Sequence, residues 1–322
     1  MSRQLVIHIP VLTDAQRASI AGAATARGFE PRFLDEFEAA LKAAAEAEVI
    51  FASDAALLEG ASDKLKWLCV TYAGVDHVLK PVLEDRSGIL LTNSSGAYGV
   101  TIAEHILMVT LAMMRRLPEY GAVVAQRGWQ RALPVRSIKG SRVTLLGTGD
   151  IGREAAKRIR AFGPKSIVGV NRRGKAPEGF FDAVYTVDRL DDVLPETDVL
   201  ILSLPATPAT AGLMDDQRLR LLPEDAYLVN VGRGSLIDQA ALEAQLREGR
   251  FAGVALDVFT QEPVPPEATL WDAPRLLITP HVAGNMTLPY TVQRIVELFL
   301  EDFERYCDGQ PLARDVARRE GY

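Results

Sequence analysis

The feature that most constrains the fold is the alternation, along nearly the whole chain, of short apolar runs with longer segments rich in Ala, Leu and Glu. Short strands that alternate with helices build βαβ units, so we predict an α/β fold of doubly wound parallel sheets with crossover helices on both faces. The predicted strands are Leu5–Ile9, Val49–Ala52, Trp67–Thr71, Leu90–Thr92, Arg142–Leu146, Ser166–Val170, Ala183–Tyr185, Val199–Leu204, Tyr227–Asn230, Gly253–Asp257 and Leu276–Ile278.

The length of 322 residues corresponds to about two domains. The segment Gly99–Trp129 is apolar early and charged late, and a second helical pattern, Val292–Tyr306, closes the chain. We therefore expect residues 99–287 to form one domain, and residues 1–98 together with 288–322 to form the other.

Composition excludes several classes of protein. With 48% hydrophobic and 24% charged residues the chain is not disordered, and a net charge of −6 argues against nucleic acid as a partner. The apolar run Ile102–Met114 is shorter than the roughly 20 residues that a membrane-spanning helix needs, and no signal peptide is evident. The two cysteines form no CxxC motif, so no metal site is expected. We expect a cytoplasmic protein without membrane contact.

The strongest local motif is a glycine-rich turn between a predicted strand and a predicted helix. Gly147, Gly149 and Gly152 have the spacing GxGxxG. In a dinucleotide site the first glycine makes a tight turn, the second lets the backbone approach a pyrophosphate, and the third lets the helix pack closely on the strand. The motif favours dinucleotide binding over an ordinary turn.

The residues after the next predicted strand bear on the choice of cofactor. An acidic residue there would accept hydrogen bonds from the adenosine ribose and favour NAD. The sequence instead has Asn171, Arg172, Arg173, Gly174 and Lys175. Guanidinium groups suit a 2′-phosphate, so we predict that NADP(H) is preferred over NAD(H); the alternative is a solvated basic loop.

Three charged or titratable residues follow successive predicted strands. Arg233, Glu262 and His281 lie just beyond Tyr227–Asn230, Gly253–Asp257 and Leu276–Ile278, where open α/β sheets bind ligands. The arginine would bind a substrate carboxylate, the histidine would transfer a proton, and the acid would orient the histidine. The other two histidines that fall within predicted elements, His8 and His105, are expected to be structural.

Together these residues make the chain resemble the D-isomer-specific 2-hydroxyacid dehydrogenase family along nearly its whole length. The resemblance implies two Rossmann-like domains, with the nucleotide domain inserted in the middle of the chain and a flavodoxin-like substrate domain around it. The matching segments are Tyr72–His77, Thr101–His105, the glycine motif, Val231–Gly234, Asp257–Pro263 and Thr279–His281.

The resemblance also implies roles for individual residues. His281 is the general acid in the reduction of a 2-oxo acid, Glu262 pairs with it, and Arg233 binds the substrate. Reduction should weaken as pH rises and the histidine loses its proton. Tyr72, Ala73, Gly74 and Val75 would line the substrate site. The implied cofactor contacts are Gly147, Gly149, Asp150, Ile151, Gly152, Asn171, Arg172, Arg173, Leu204, Pro205, Thr210, Val231, Gly232 and Asp257.

Departures from the family pattern restrict the predicted cofactor and substrate. The Asn-Arg-Arg turn replaces the acid of NAD-preferring members, and Glu262 argues against formate as a substrate, because formate dehydrogenases have a glutamine there. Tyr72 either caps the substrate pocket or fills the end of a strand. The leading substrates are glyoxylate and hydroxypyruvate.

Some alternatives stay open. A dinucleotide-sensing corepressor-like scaffold would share the fold, and oxidation of a small anion such as phosphite would use a similar triad. A homodimer is expected through the 99–129 region, where Trp129 would reach the neighbouring subunit's site; a packed linker helix is the other interpretation.

Overall fold

The computed structural model describes residues 3–75, 88–177 and 179–316. The chain divides into two compact units, one of Met1–Tyr98 with Met286–Tyr322 and one of Gly99–Asn285. Asp76 and His77, which close the first segment of the family resemblance, lie outside the described residues.

The first unit contains a five-stranded parallel sheet in the order β2-β1-β3-β4-β5. This is the flavodoxin-like strand order, in which the chain winds first to one side of β1 and then to the other. Its strands are β1 (Arg3–His8), β2 (Phe29–Phe33), β3 (Ala47–Ala52), β4 (Trp67–Val70) and β5 (Leu90–Thr92). The helices of its described residues are α1 (Asp14–Ala26), α2 (Phe37–Ala44) and α9 (Pro289–Cys307), the last of which comes from near the end of the chain.

Aromatic stacking attaches α9 to this sheet. The ring of Phe299 lies 4.1 Å from that of Phe51 and 5.4 Å from that of Trp67, both in stacked geometry. All three side chains are fully buried. Buried aromatic rings contribute large apolar areas, so the last helix completes the core of a sheet formed by the start of the chain.

The second unit contains a seven-stranded parallel sheet in the order β12-β11-β10-β9-β6-β7-β8. Its strands are β6 (Arg142–Leu146), β7 (Ser166–Asn171), β8 (Ala183–Thr186), β9 (Val199–Leu202), β10 (Tyr227–Asn230), β11 (Gly253–Leu256) and β12 (Leu276–Ile278). Its helices are α3 (Gly99–Met114), α4 (Leu117–Ala125), α5 (Asp150–Arg160), α6 (Leu190–Val193), α7 (Asp216–Leu221) and α8 (Gln239–Arg247).

The predicted fold class of two doubly wound parallel-sheet units is confirmed. In the second unit the strand order reverses between β6 and β9, which is where open sheets of this kind form a ligand crevice at the carboxyl ends of the strands.

Two elements differ from the sequence analysis. Strand β2 was not predicted, because Glu30, Pro31 and Arg32 give it no continuous apolar run; proline is tolerated here because β2 lies at a sheet edge. The helical segment 99–129 is broken at Arg116, which has a φ of 58°, and Pro118 follows in the first turn of α4.

Within the described residues, no helix has both the length and the apolar character required to cross a membrane.

Candidate functional site

The second unit gathers the predicted cofactor and catalytic residues at one edge of its sheet. Each group follows the carboxyl end of a strand, so the seven parallel strands place them along a common edge. Gly147–Gly152 follow β6, Asn171–Arg173 close β7, Leu204, Pro205 and Thr210 follow β9, Val231–Arg233 follow β10, Asp257 and Glu262 follow β11, and His281 follows β12.

Each glycine of the motif is explained by a different feature of its surroundings. Gly147 has a φ of +110°, which favours glycine, and a Cβ on Gly152 would lie 2.1 Å from the carbonyl oxygen of Gly147. A Cβ on Gly149 would meet no atom within 4 Å, so this residue faces open space at the start of α5. No side chain caps this helix N-terminus among the described residues. The open cradle fits a dinucleotide pyrophosphate.

The side chain of Asp150 points away from this cradle. Its carboxylate accepts the backbone N–H of Gly99 at 2.8 Å, and a Cβ on Gly99 would lie 2.4 Å from the same carboxylate. Asp150 therefore joins the start of α3 to the start of α5. Its own backbone remains at the anion-binding end of α5, where the expected cofactor contact of this residue belongs.

Asn171 organises the basic loop after β7. Its Oδ1 accepts the backbone N–H groups of Arg173 and Gly174 at 2.8 and 2.7 Å. Its Nδ2 donates to Thr148 Oγ1 at 2.5 Å and to the carbonyl oxygen of Lys175 at 2.8 Å. An amide is required because the side chain donates and accepts at once, which a carboxylate cannot do. The exposed Arg172 and Arg173 follow directly.

Arg233 lies on a loop that two glycines allow to pack closely. A Cβ on Gly234 would lie 1.9 Å from the carbonyl carbon of Phe259, and one on Gly232 would lie 2.7 Å from the carbonyl oxygen of Leu204. The buried Asn230 accepts the N–H of Gly232 and donates to the carbonyl oxygen of Arg233. The loops after β9, β10 and β11 are thereby packed against one another.

Glu262 and His281 form the pair that the sequence analysis expected. Glu262 Oε2 lies 2.7 Å from His281 Nδ1, while Oε1 accepts the backbone N–H of Phe259 at 2.8 Å. The His281 side chain is 51% exposed, so its ring reaches solvent or a ligand. Because Glu262 occupies Nδ1, Nε2 is the ring nitrogen available to a substrate.

Asp257 holds the loop that carries His281. Its two carboxylate oxygens accept the backbone N–H groups of Val282 and Ala283, both at 3.0 Å, and the hydroxyl of Thr279 at 2.6 Å. Its carbonyl oxygen accepts the N–H of His281 at 2.8 Å. His281 has a φ of 52°, in the left-handed region, so this backbone conformation depends on support from neighbouring groups.

The loop after β9 is shaped by one threonine. Thr210 Oγ1 lies 2.7 Å from the carbonyl oxygen of Pro205 and accepts the backbone N–H of Thr207 at 2.9 Å. Leu204 and Pro205 are partly exposed beside the packed Gly232. These contacts give Thr210 a role in holding the loop.

The expected substrate residues lie in the first unit, after β4. The carbonyl oxygen of Ala73 accepts from Asn93 Nδ2 at 2.6 Å, and that of Tyr72 accepts the N–H of Ser94 at 3.0 Å. Val75 is buried in the core and the ring of Tyr72 packs against the same core, which agrees with Tyr72 filling the strand end. Burial raises the pKa of the Tyr72 hydroxyl. Within residues 73–75, the described part of this loop, the side chains are small or buried, so this stretch offers mainly its backbone.

Four polar residues of the site were not singled out for it from the sequence. Thr148 and Asn230 fix the nucleotide and Arg233 loops, and Thr279 and His105 lie behind the His281 loop. Thr148 and Asn230 carried a usable signal, since both stand at the ends of apolar runs. No local pattern indicates that His105 contacts Thr279, because the two residues are 174 positions apart.

Comparison with known proteins gives sequence relatives among the 2-hydroxyacid dehydrogenases and glyoxylate reductases. The model of the NAD-binding domain of D-isomer-specific 2-hydroxyacid dehydrogenases matches residues 107–283. The glyoxylate reductase of Thermofilum pendens is 33% identical over 237 residues, which are 72% of this chain and 69% of that protein. The glyoxylate/hydroxypyruvate reductase A of Salmonella paratyphi C is 32% identical over 267 residues, 81% of this chain and 83% of that protein.

Solved structures agree with the sequence relatives. A D-isomer-specific 2-hydroxyacid dehydrogenase family protein from Aeromonas salmonicida has a TM-score of 0.86 and 34% identity, covering 99% of this chain and 100% of that one. The NADPH-dependent glyoxylate/hydroxypyruvate reductase of Sinorhizobium meliloti, solved with NADP and sulfate, has a TM-score of 0.80 and 27% identity, with coverage of 99% and 100%.

Proposed function

The chain belongs to the D-isomer-specific 2-hydroxyacid dehydrogenases, which are NAD(P)-dependent oxidoreductases, and from this premise we propose that it reduces glyoxylate, hydroxypyruvate or a similar small 2-oxo acid to the D-2-hydroxy acid. The observation that carries the proposal is the hydrogen bond between Glu262 and the exposed His281 at the carboxyl edge of the dinucleotide-binding sheet. Residues 99–287 would bind the cofactor, and residues 1–98 with 288–322 would contribute to the substrate site.

The proposed chemistry assigns one task to each residue. The glycine cradle Gly147–Gly152 would hold the cofactor, and a reduced nicotinamide, when bound, would supply the hydride for the reduction. His281 gives its Nε2 proton to the carbonyl oxygen, and Glu262 stabilises the protonated ring and fixes its orientation. Arg233 pairs with the substrate carboxylate, a geometry that a planar guanidinium suits. By the family resemblance, the backbone of Ala73, Gly74 and Val75 would contribute to substrate binding.

The preference for NADP(H) rests on the basic loop. Arg172 and Arg173 are exposed on a turn that Asn171 holds rigid, and no carboxylate stands at the end of β7. Two solved relatives, from Xanthobacter autotrophicus and Sinorhizobium meliloti, contain NADPH and NADP. Guanidinium groups bind a 2′-phosphate well, so NADPH should be the better donor.

We also propose a homodimer built through the 99–129 region. Large apolar side chains are exposed there: Leu117 at 63%, Val124 at 67% and Trp129 at 85%. Exposed apolar residues concentrated on one segment mark an interaction surface, and a second copy of the chain is the occupant that we assign. A Val124→Glu variant should be monomeric by light scattering where the wild type is dimeric; equal masses would contradict this assignment.

The cysteines fit the cytoplasmic location that we propose. Cys69 and Cys307 are both free thiols. Burial raises the pKa of the Cys69 thiol to about 12, so this group is protonated and unreactive.

The proposed function is tested by NADPH and NADH oxidation with glyoxylate, hydroxypyruvate, pyruvate and phenylpyruvate. We expect turnover with a small 2-oxo acid and a higher kcat/KM with NADPH. In an Arg172→Ala/Arg173→Ala variant the NADPH preference should fall about tenfold or more, because charge-assisted hydrogen bonds are lost. Turnover with NADH alone would contradict the cofactor assignment. Cofactor binding without turnover of any acid would favour the corepressor-like scaffold or another donor, such as phosphite.

A further inference from the structure

His105 lies behind the loop that carries His281. It projects from α3, its side chain is 10% exposed, and its Nε2 lies 3.2 Å from Thr279 Oγ1 and 3.8 Å from Asp257 Oδ1. Together with the buried Asp257 and the partly buried Thr279, it forms a cluster of three polar side chains that the proposed chemistry does not use directly.

The protons of this group can be assigned by elimination. Thr279 has one hydroxyl proton, and its oxygen lies 2.6 Å from the acceptor Asp257 Oδ1, so the proton is donated there. The Thr279 oxygen then accepts, and His105 must donate from Nε2. Burial lowers the pKa of His105, while the negative Asp257 opposes this effect. The ring is therefore neutral near pH 7, with its proton on Nε2.

The hydrogen bonds from His105 end on the loop of the proton donor. Asp257, which accepts from Thr279, also accepts the N–H groups of Val282 and Ala283. These two residues follow His281, whose backbone is in the left-handed region. The orientation of Asp257 and Thr279 thus determines where the loop after β12 lies.

We propose that His105 is a positioning residue for His281. Through Thr279 and Asp257 it holds the 279–283 loop in the conformation that directs the His281 ring toward Glu262 and the substrate. The inference rests on the proposed role of His281 as proton donor. His105 touches neither substrate nor cofactor in this assignment, so its loss should lower kcat while NADPH affinity is kept.

The test compares four single variants and one double variant with the wild type. His105→Ala removes the donor, and His105→Gln restores one at a similar distance from the backbone. Thr279→Val removes the hydroxyl that connects His105 to Asp257. Thr110→Val is the matched control, since Thr110 is buried in the same helix and, among the residues that the structure describes, its hydroxyl bonds to the carbonyl oxygen of Ile106 alone. The measurements are kcat with glyoxylate and NADPH, NADPH affinity, and hydrogen exchange at Val282 and Ala283.

We expect about tenfold lower kcat for His105→Ala, because a small misplacement of a reacting group is costly, with most of the loss restored in His105→Gln. Amide exchange at Val282 and Ala283 should accelerate in His105→Ala and stay at the wild-type rate in Thr110→Val. The double variant of His105→Ala and Thr279→Val should be no worse than Thr279→Val alone, because both act on one network.

Unchanged exchange and unchanged kcat in His105→Ala would overturn the inference, as would an equal loss in Thr110→Val. The exchange measurement separates this outcome from failure of the proposed function. If the wild type reduces no 2-oxo acid, faster exchange in His105→Ala still supports the positioning of the loop, and unchanged exchange still contradicts it.

Discussion

Asn171 and Asp257 stand at the ends of two strands of one sheet, and each turns its side chain back onto a loop, yet they draw on different parts of the chain. The Asn171 side chain bonds to the backbone of Arg173, Gly174 and Lys175, and it also donates to Thr148, 23 positions earlier in the chain. Asp257 bonds to residues 22 to 26 positions away, and its partner Thr279 contacts His105. Three of the four hydrogen bonds described for the Asn171 side chain are local, whereas those described for the Asp257 side chain all reach residues more than 20 positions away.

The difference has a functional meaning under the proposed chemistry. The Asn171 loop presents cations to a cofactor, and flexible guanidinium groups tolerate small shifts of their backbone. The Asp257 loop presents a proton donor, for which a displacement of about 1 Å can cost on the order of 100-fold in rate. Damage to the Asp257 loop should therefore appear in kcat, and damage to the Asn171 loop in KM for the cofactor.

The largest effect is expected from Asp257→Asn. An amide nitrogen would face backbone N–H groups of Val282 or Ala283, so kcat should fall on the order of 100-fold and the free energy of unfolding by about 1–3 kcal/mol. Steady-state kinetics and thermal unfolding measure both. Asp238→Asn is the matched control, since Asp238 caps α8 on the surface and asparagine caps equally well. If Asp257→Asn kept the wild-type kcat, the claim that the Asp257 loop positions the proton donor would be contradicted.

A smaller effect is expected from Asn171→Asp. The carboxylate cannot donate to Thr148 or to the carbonyl oxygen of Lys175, and its charge would repel a 2′-phosphate. KM for NADPH should rise about tenfold, with kcat nearly unchanged, while KM for NADH changes less. An equal rise of KM for NADPH and NADH would show that the loop does not recognise the 2′-phosphate.

Two alanine variants of the glycine cradle, Gly149→Ala and Gly152→Ala, form a matched pair. Their effects are expected to be of similar size to that of Asn171→Asp. Gly149→Ala places its Cβ in open space, so the thermal midpoint should not change while KM for NADPH rises about tenfold as the methyl group enters the pyrophosphate position. In Gly152→Ala the Cβ would lie 2.1 Å from the carbonyl oxygen of Gly147, and the midpoint should fall. Unchanged NADPH affinity in Gly149→Ala would place the cofactor elsewhere.

The smallest effect concerns pH. Burial lowers the pKa of His105 in the folded chain, with Asp257 opposing, so the unfolded chain binds more protons once pH falls below the ordinary value of about 6.5. Stability should drop from pH 7.5 to pH 5.5 more in the wild type than in His105→Gln. Denaturant unfolding at both pH values measures the difference, and parallel losses would show that His105 does not contribute.

The two loops also explain how far the sequence alone could reach. The strand alternation was sufficient for the fold class, and the Asn-Arg-Arg turn could be interpreted because its two arginines and its lack of an acid are visible in the sequence itself. The alignment of Arg233, Glu262 and His281 followed from parallel strands ending at one edge. The sequence predicted that the acid Glu262 would orient the histidine His281. Which atoms make the contact, and at what distance, came from the structure.

Other features depend on contacts that leave no local pattern. From the sequence, His105 is a polar residue in an apolar helix and is expected to be structural. Nothing within α3 indicates Thr279 as its partner. Strand β2 was missed because its pairing with β1, not its own composition, makes it a strand. The side chain of Asp150 bonds to Gly99, 51 residues earlier, a contact that the glycine motif does not encode.

The most direct test of the account is the turnover of glyoxylate and NADPH by the wild type, Glu262→Gln and His281→Ala, with NADPH affinity measured in parallel. We expect turnover by the wild type, a loss of about 100-fold or more in His281→Ala, a smaller loss in Glu262→Gln, and similar NADPH affinity in all three, because a general acid acts on the chemical step. Retention of wild-type turnover by His281→Ala would contradict the assignment of His281 as the proton donor.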